Sequence, residues 1–326
     1  MTDRLEPADE AALARLVGEA HAEGTPLLVC GNASKLGMLR PVQAARTLSA
    51  RALSGIGLYS PAELILAAGA GTPLAEVAAA VAAKGQHIIA EPPDFSALLG
   101  GGAQTLGGAV AANLSGPRRV AWGAMRDHVM GVRAVNGIGE TIHSGGRVLK
   151  NVTGLDLCKL LAGSHGTLAV LSEITLKVLP APERRATLVL RGLAPERAVA
   201  ALAAALGSPY AVSGAAHLPA AQAARVPALA WLGGAVTLAR IEDFASSVAY
   251  RSGRLRADLA AFGGLGGGAR RAATGCGGGG RVARVGAALR RAGGGPRGGR
   301  GVRCRVVFRL GRRAGLGGGA GHRGGA

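Results

Sequence analysis

Hydrophobic residues in this chain alternate with small and polar ones in short runs, and few runs extend beyond a dozen positions. Residues 8–24 (ADEAALARLVGEAHAEG) place Leu13, Leu16 and Val17 at helical spacing and stop at Gly24, which predicts an amphipathic helix. Pro26–Cys30 reads as a short buried strand, and Glu63–Ala68 as another that ends in a turn at Gly69–Gly71. Thr72 is placed to cap a following helix, with Pro73 at its first position, Glu76 in its first turn and Gly85 as its stop. Ile88–Ala90 is a third strand and runs into Glu91-Pro92-Pro93. This succession predicts a small α/β lobe.

Further along, Leu106–Leu114 predicts a helix made almost wholly of Gly and Ala, so that something can lie close against it. Val129–Asn136 and Glu140–His143 read as a hairpin around Gly137-Ile138-Gly139. Asp156–Gly163 is a short helix, and Leu168–Val178 carries two strand segments, with Leu168/Val170 and Ile174/Leu176/Val178 alternating. Pro180-Ala181-Pro182 marks a domain boundary. Beyond it, the strand-like Thr187–Arg191 and the alanine-rich helix Pro195–Leu206 begin a second α+β domain. The expected division is therefore 1–182, 186–262 and a tail from 263 to 326, with the second domain incomplete.

The charge changes this picture only at the end of the chain. The 326 residues carry a formal +19, but 14 of the 38 basic residues are arginines beyond Phe262, where there is no acidic residue. The first 262 residues hold 24 basic against 19 acidic groups, a net +5, so the body calls for no nucleic-acid partner. The tail holds 25 Gly in its 64 positions and lacks the apolar content to fold. A reading-frame shift near Gly263 in a GC-rich gene gives this texture. The alternative is a Gly/Arg tail that binds single-stranded RNA, against which Phe308 stands as the tail's lone aromatic.

Cys30, Cys158, Cys276 and Cys304 stand too far apart for an iron–sulfur, zinc or disulfide framework. The acidic N-terminus does not read as a secretory signal, and Val226–Ala239 is too short and glycine-broken to span a bilayer. A cytoplasmic protein without a transmembrane segment is expected.

Candidate chemistry lies in the glycine-punctuated segments. Gly31-Asn32-Ala33-Ser34-Lys35-Leu36-Gly37 follows a strand and offers backbone N–H groups, a hydroxyl and an amine, which suit a pyrophosphate. It is not a Walker loop, because Met38 follows Gly37, and taken alone it is also an ordinary polar turn. Thr105-Leu106-Gly107-Gly108 opens a helix, which leaves the N–H groups of Gly107 and Gly108 free to meet a phosphate or carbonyl. Close helix packing explains the same small residues. Arg118 and Arg119, with Arg126-Asp127 beyond them, are either anion anchors or solvated surface. Histidine is a common general base, but His165 reads as loop surface, and no residue is named as a catalytic base.

In order and spacing, GNASKLG, GAGTPLAEV, TLGGAVAANLSGPRR, RDHVMGVRAV and KNVTGLDLCKLLAGSHGTLAVLSEITLKVLP closely resemble the FAD-binding domain of the vanillyl-alcohol oxidase/PCMH flavoprotein family. GPRR and the following GxxRDxVxGV look most like the FAD-binding subunits of bacterial glycolate oxidases. The resemblance is strong over roughly 25–180, weak over 186–262 and absent beyond. It implies an α+β fold, a two-lobed PCMH-type domain followed by an incomplete cap. It implies FAD wrapped at the diphosphate by Gly31, Asn32, Ala33, Ser34 and Lys35. Pro93, Thr105, Gly107, Gly108, Asn113 and Gly116 would lie beside the flavin, and Gly154, Gly166 and Ile174 would approach it through their backbone. Many relatives attach the flavin through a loop histidine. This loop has none, and Cys30 reads as a small buried hydrophobe, so noncovalent FAD is expected.

The implied activity is oxidation of a small 2-hydroxy acid, glycolate to glyoxylate, with hydride transfer to FAD. The implied partners are a second FAD-binding subunit and an iron–sulfur subunit, which would place the chain at the periphery of the inner membrane. The alternatives are a stand-alone D-lactate-type dehydrogenase and a non-catalytic FAD-binding scaffold or electron-transfer subunit.

Overall fold

The computed structural model describes residues 3–38, 40–146 and 155–263. Gly154 and the Gly/Arg-rich tail beyond Gly263 lie outside them.

The first elements are β1 (Asp3–Leu5), α1 (Glu10–Glu23), β2 (Leu27–Cys30) and β3 (Arg46–Ser49). The Asp9 carboxylate caps α1 by accepting the Ala12 N–H at 2.7 Å, and Gly24 ends it in the left-handed region at φ 63°. β1 and β2 both pair in parallel with β3. As an edge strand, β2 is half-buried along its length and not buried as its apolar run suggests. Leu13 and Val17 of α1 and Leu48 of β3 form a core that continues into Val135 and Val170 of the next sheet.

β4 (Ile56–Ser60), β5 (Ile65–Gly69), α2 (Leu74–Ala82) and β6 (Gln86–Ile88) follow. Thr72 does not cap α2. Its hydroxyl is fully buried, accepts the Gly55 N–H at 2.9 Å and donates to the Gly55 carbonyl at 3.2 Å. The bend at Gly55 thus uses the hydroxyl in both its roles, and the Leu74 N–H finds the Gln104 carbonyl instead, at 2.9 Å. Next come α3 (Ser96–Leu99), α4 (Leu106–Ala111), α5 (Arg119–Trp122), β7 (Val129–Asn136), β8 (Thr141–Gly145), α6 (Leu157–Leu161) and β9 (Ala169–Pro180). The β7–β8 turn is held by Asn136 Oδ1, which accepts from Ile138 N–H and Glu140 N–H at 3.1 and 2.9 Å.

β9 is one strand of 12 residues, where the alternation of Leu168/Val170 and Ile174/Leu176/Val178 suggests two segments. Ser172 is buried and donates to the Glu10 carboxylate at 2.5 Å, so a polar residue continues the strand without a lost hydrogen bond. β9 sits centrally in an antiparallel sheet of order β4-β5-β9-β7-β8, and β6 pairs with its far end. Leu66, Val77, Leu106, Val110, Ile174 and Leu176 pack between this sheet and its helices.

Past Pro180 the chain enters another sheet through β10 (Arg184–Arg191), α7 (Pro195–Leu206), β11 (Gly214–Leu218), α8 (Ala220–Ala223), β12 (Val236–Asp243) and α9 (Ala245–Leu259). β12 is central and antiparallel to both neighbours. α7 has the boundaries its sequence predicts. Its Ala198, Ala201 and Ala205 pack with Leu190, Ile241 and Leu255, because an alanine face lets a helix sit close on a strand.

Candidate cofactor site

β2 delivers the chain into the loop Gly31–Lys35. A Cβ on Gly31 would stand 2.5 Å from Thr105 Oγ1, so only glycine allows this approach. Asn32 ties the loop to the segment before α4: its Nδ2 donates to the Ala103 carbonyl at 2.9 Å, and its own carbonyl accepts the Gly102 N–H at 3.0 Å. Ala33 turns the chain at φ 57°. Ser34 is buried and accepts from Lys35 Nζ at 3.3 Å, the one hydrogen bond of that amine among the described residues. Burial lowers the Lys35 pKa, with the charge of Asp94 opposing the shift. An ammonium with three donors, half out of water and bonded to a single hydroxyl, is electrostatically suited to an anion.

The Gly107 and Gly108 N–H groups are not free as expected. Gly107 donates to the Ala70 carbonyl at 2.7 Å, Gly108 to Thr105 Oγ1 at 3.2 Å, and Leu106 to the Thr72 carbonyl at 2.8 Å. The fold satisfies its own helix terminus through the Thr105 cap and the β5–α2 turn. The two glycines therefore differ. A Cβ on Gly107 would lie 2.7 Å from that of Ala70, which marks a packing glycine. A Cβ on Gly108 would point past Thr105 to within 3.5 Å of Lys35 Nζ. Gly108, Ala111 and Ala112 make a half-buried strip without bulky side chains that begins beside Lys35.

α4 stops at Ala111, earlier than its composition suggests, because Asn113 takes the left-handed conformation at φ 45° and Asn113 Oδ1 accepts the Arg126 N–H at 2.9 Å. The loop after α6 closes on this end: the Gly163 N–H donates to Val110 and the His165 N–H to Ala111, at 3.2 and 2.9 Å. His165 is exposed at φ 54°. Gly166, at φ 77°, abuts Val29 of β2 and also lines a cleft of about 610 Å³ with Val29, Asn136 and Leu168. Gly116 is filled from its own chain, since its Cβ would fall 2.1 Å from the Glu91 carbonyl oxygen, and half-buried Pro93 lies two residues on. Ile174 is fully buried between Ala68 and Val132, so its side chain belongs to the sheet core. The structure thus gathers Gly31–Lys35, Thr105 and Gly108 at one end of α4 and Asn113 and Gly166 at the other. It assigns Gly107, Gly116 and Ile174 to packing.

Arg118 is neither an exposed anion anchor nor a solvated residue. It is 5% exposed and grips Glu242 of β12 with two hydrogen bonds, Nε to Oε2 at 3.1 Å and an Nη to Oε1 at 2.8 Å. Ser213 and Arg185 also reach the Glu242 carboxylate, each at 2.8 Å, and Arg240 at 3.2 Å. Burial would raise the Glu242 pKa, but Arg118, Arg240 and Ser213 outweigh it and bring the value down to about 2. Arg240 in turn holds Glu91 with paired bonds of 2.9 and 2.7 Å. Sequence reasoning missed this cluster. Its one local signal is Arg240 and Glu242, charges on the same face of an otherwise apolar strand. Arg119 and Arg126 are exposed, in keeping with a surface turn.

Residues 4–145 match the family model described as an FAD binding domain. The glycolate oxidase subunit GlcE of Escherichia coli is 45% identical over 180 residues, which are 55% of this chain and 49% of that protein. A D-lactate dehydrogenase of Anaerostipes hadrus is 42% identical over 86 residues, 26% of this chain and 18% of that enzyme. The fold is also that of a solved alkyldihydroxyacetonephosphate synthase, with a TM-score of 0.65 and 20% identity over 81% of this chain and 53% of that one. The chain spans about half the length, or less, of the curated relatives it matches.

Proposed function

We propose that the strip Gly108–Ala112 and the loop Gly31–Lys35 hold FAD, a reading supported by the match of residues 4–145 to the model of an FAD binding domain. The observation that carries this reading is Lys35, a half-buried amine with a lone hydroxyl partner at the open end of a strip of small residues. Its ammonium and the loop donors would take the diphosphate, while Gly108, Ala111 and Ala112 leave room for a flat ring system. Thr105 fixes the strip, Asn113 and Gly166 close the far end, and half-buried Pro93 would border the flavin. Bound FAD would supply the hydride acceptor for oxidation of a CH–OH group; the chain's share is to bind and orient it.

The likeness to a glycolate oxidase subunit and to a D-lactate dehydrogenase supports a small 2-hydroxy acid, glycolate, as the substrate class. The name of that subunit also supports work within a multisubunit complex, in which the partners we propose are a second FAD-binding chain and an iron–sulfur chain. Residues 186–262 would form part of a cap over the flavin. No helix among the described residues is long and apolar enough to cross a membrane, and the place we propose is the cytoplasm, at the periphery of the inner membrane through partners.

The loop contains no histidine, and burial raises the pKa of Cys30, the nearest thiol, which keeps it protonated and unreactive. FAD is therefore held without a covalent bond. Acid precipitation of the purified complex should move the yellow chromophore into the supernatant; flavin that stays with the pellet contradicts this.

A further inference from the structure

Residues 91–104 form a strap along the proposed cofactor site. At its far end Gly101, at φ 93°, lies where a Cβ would be 2.8 Å from the Ser34 Cα, and the Gly102 N–H bonds the Asn32 carbonyl at 3.0 Å. Leu99 packs on Gly37, and the charge of Asp94 acts on Lys35. The strap is thus one wall of the phosphate loop.

At its near end the strap begins with Glu91, a non-glycine residue at φ 49°. Side chains avoid this region unless neighbours hold them there. Three contacts do so: Gly116, whose N–H donates to the Ala90 carbonyl at 2.8 Å, the paired hydrogen bonds from Arg240, and a longer ion pair with Arg118 at 3.9 Å. Arg240 belongs to β12, in the other sheet, 149 residues away. Its Nε is fixed by Ser213 Oγ at 3.2 Å and by the buried Glu242 carboxylate, which Arg118 ties back to the first domain. A guanidinium braced on one edge and bidentate on the other is a rigid clamp, with less freedom than a surface pair.

We propose that Arg240 is a positioning residue for the cofactor: through Glu91 it holds the strap closed on the phosphate loop, so that the second sheet sets how tightly FAD is kept. The proposal rests on the FAD reading above and adds a cause for retention that lies outside the FAD-binding lobes. The second sheet is then a buttress of the cofactor site, whatever else it contributes to the substrate.

The test is a titration of the full chain with FAD, read by flavin fluorescence, for the wild type and three variants. Arg240→Met removes the clamp. Glu91→Gln removes the charge it holds and leaves Arg240 its bonds to Ser213 and Glu242. Arg251→Met breaks a pair inside the second domain, to Asp243 and the Tyr210 carbonyl, without touching the strap. Arg240→Met and Glu91→Gln should each raise the FAD dissociation constant about tenfold and change the visible circular dichroism of the bound flavin, while Arg251→Met leaves both unchanged. Wild-type affinity and spectrum in either strap variant overturn the proposal. So does an equal loss in Arg251→Met, since the effect is then general destabilisation. A wild-type chain that takes up no FAD defeats the FAD reading and this inference with it, whereas wild-type binding with unaffected strap variants defeats the inference alone.

Discussion

In the proposed cofactor cradle, Gly31, Gly108 and Ala112 keep side chains out of the way, and the fixed groups are backbone atoms and one lysine. At the junction with the second sheet, Arg118 crosses 124 residues of sequence to a glutamate with no exposed side chain, and two further arginines converge on it. A large polar ligand needs room and backbone donors, so its site is written in runs of small residues. A junction between two sheets needs reach, so it is written in long charged side chains that mean little one at a time. The proposed cradle would take its remaining contacts from FAD, while the ion pairs of the junction lie within the chain. Perturbing the junction at Glu242 should therefore register first in stability, and perturbing the cradle, or the Arg240–Glu91 clamp on its strap, in flavin.

The largest effect expected is at Glu242. Glu242→Ala leaves buried Arg118 beside Arg185 and Arg240 with Glu91, 3.9 Å away and already held by Arg240, as its remaining carboxylate, at a cost of about 3–5 kcal/mol in urea denaturation. A loss within the range of a surface pair, below about 1 kcal/mol, would break the contrast drawn here.

The same carboxylate predicts an acid limb. Its pKa is about 2 in the folded chain against an ordinary 4.5, so folded Glu242 resists protonation more than the unfolded chain does. Its contribution is complete above about pH 4.5 and is lost as pH falls toward 2, roughly 3 kcal/mol in all. Stability curves over that window should be flatter for Glu242→Gln than for the wild type. Parallel curves would show that other carboxylates set the acid limb.

A smaller effect separates the two adjacent glycines of α4. Gly107→Ala sets a methyl 2.7 Å from the Ala70 Cβ and should cost about 1–3 kcal/mol in the same denaturation experiment. Gly108→Ala faces the strip and should stay within about 1 kcal/mol of the wild type. Equal costs at the two positions would mean that both are packing glycines and that the strip is not open.

The local elements around the proposed cradle were legible because their signals are local. The strand before Gly31 and the small-residue helix that opens after Thr105 lie within a few residues of what they explain. α7 was legible for the same reason, since a proline start and an alanine face define it alone. What was not legible depended on partners distant in sequence. Thr72 looked like a cap until Gly55 took its hydroxyl, the Gly107 N–H looked free until Ala70 came near, and the segments on either side of Ser172 looked like two strands until Glu10 reached it. Arg118 needed a glutamate from another sheet to become interpretable. In each case the residue's chemistry was read correctly and its partner was out of view.

The central claim is that the strip beside Lys35 is where FAD lies, and Gly108→Val tests it most directly. The branched side chain would fill the space between Thr105 Oγ1 and Lys35 Nζ while leaving the Gly108 N–H and its cap in place. Equilibrium titration with FAD, with far-UV circular dichroism as a check on folding, should show wild-type binding abolished or strongly weakened in a variant of unchanged secondary structure. Wild-type flavin occupancy in a folded Gly108→Val chain would contradict the account and move the cofactor elsewhere on the molecule.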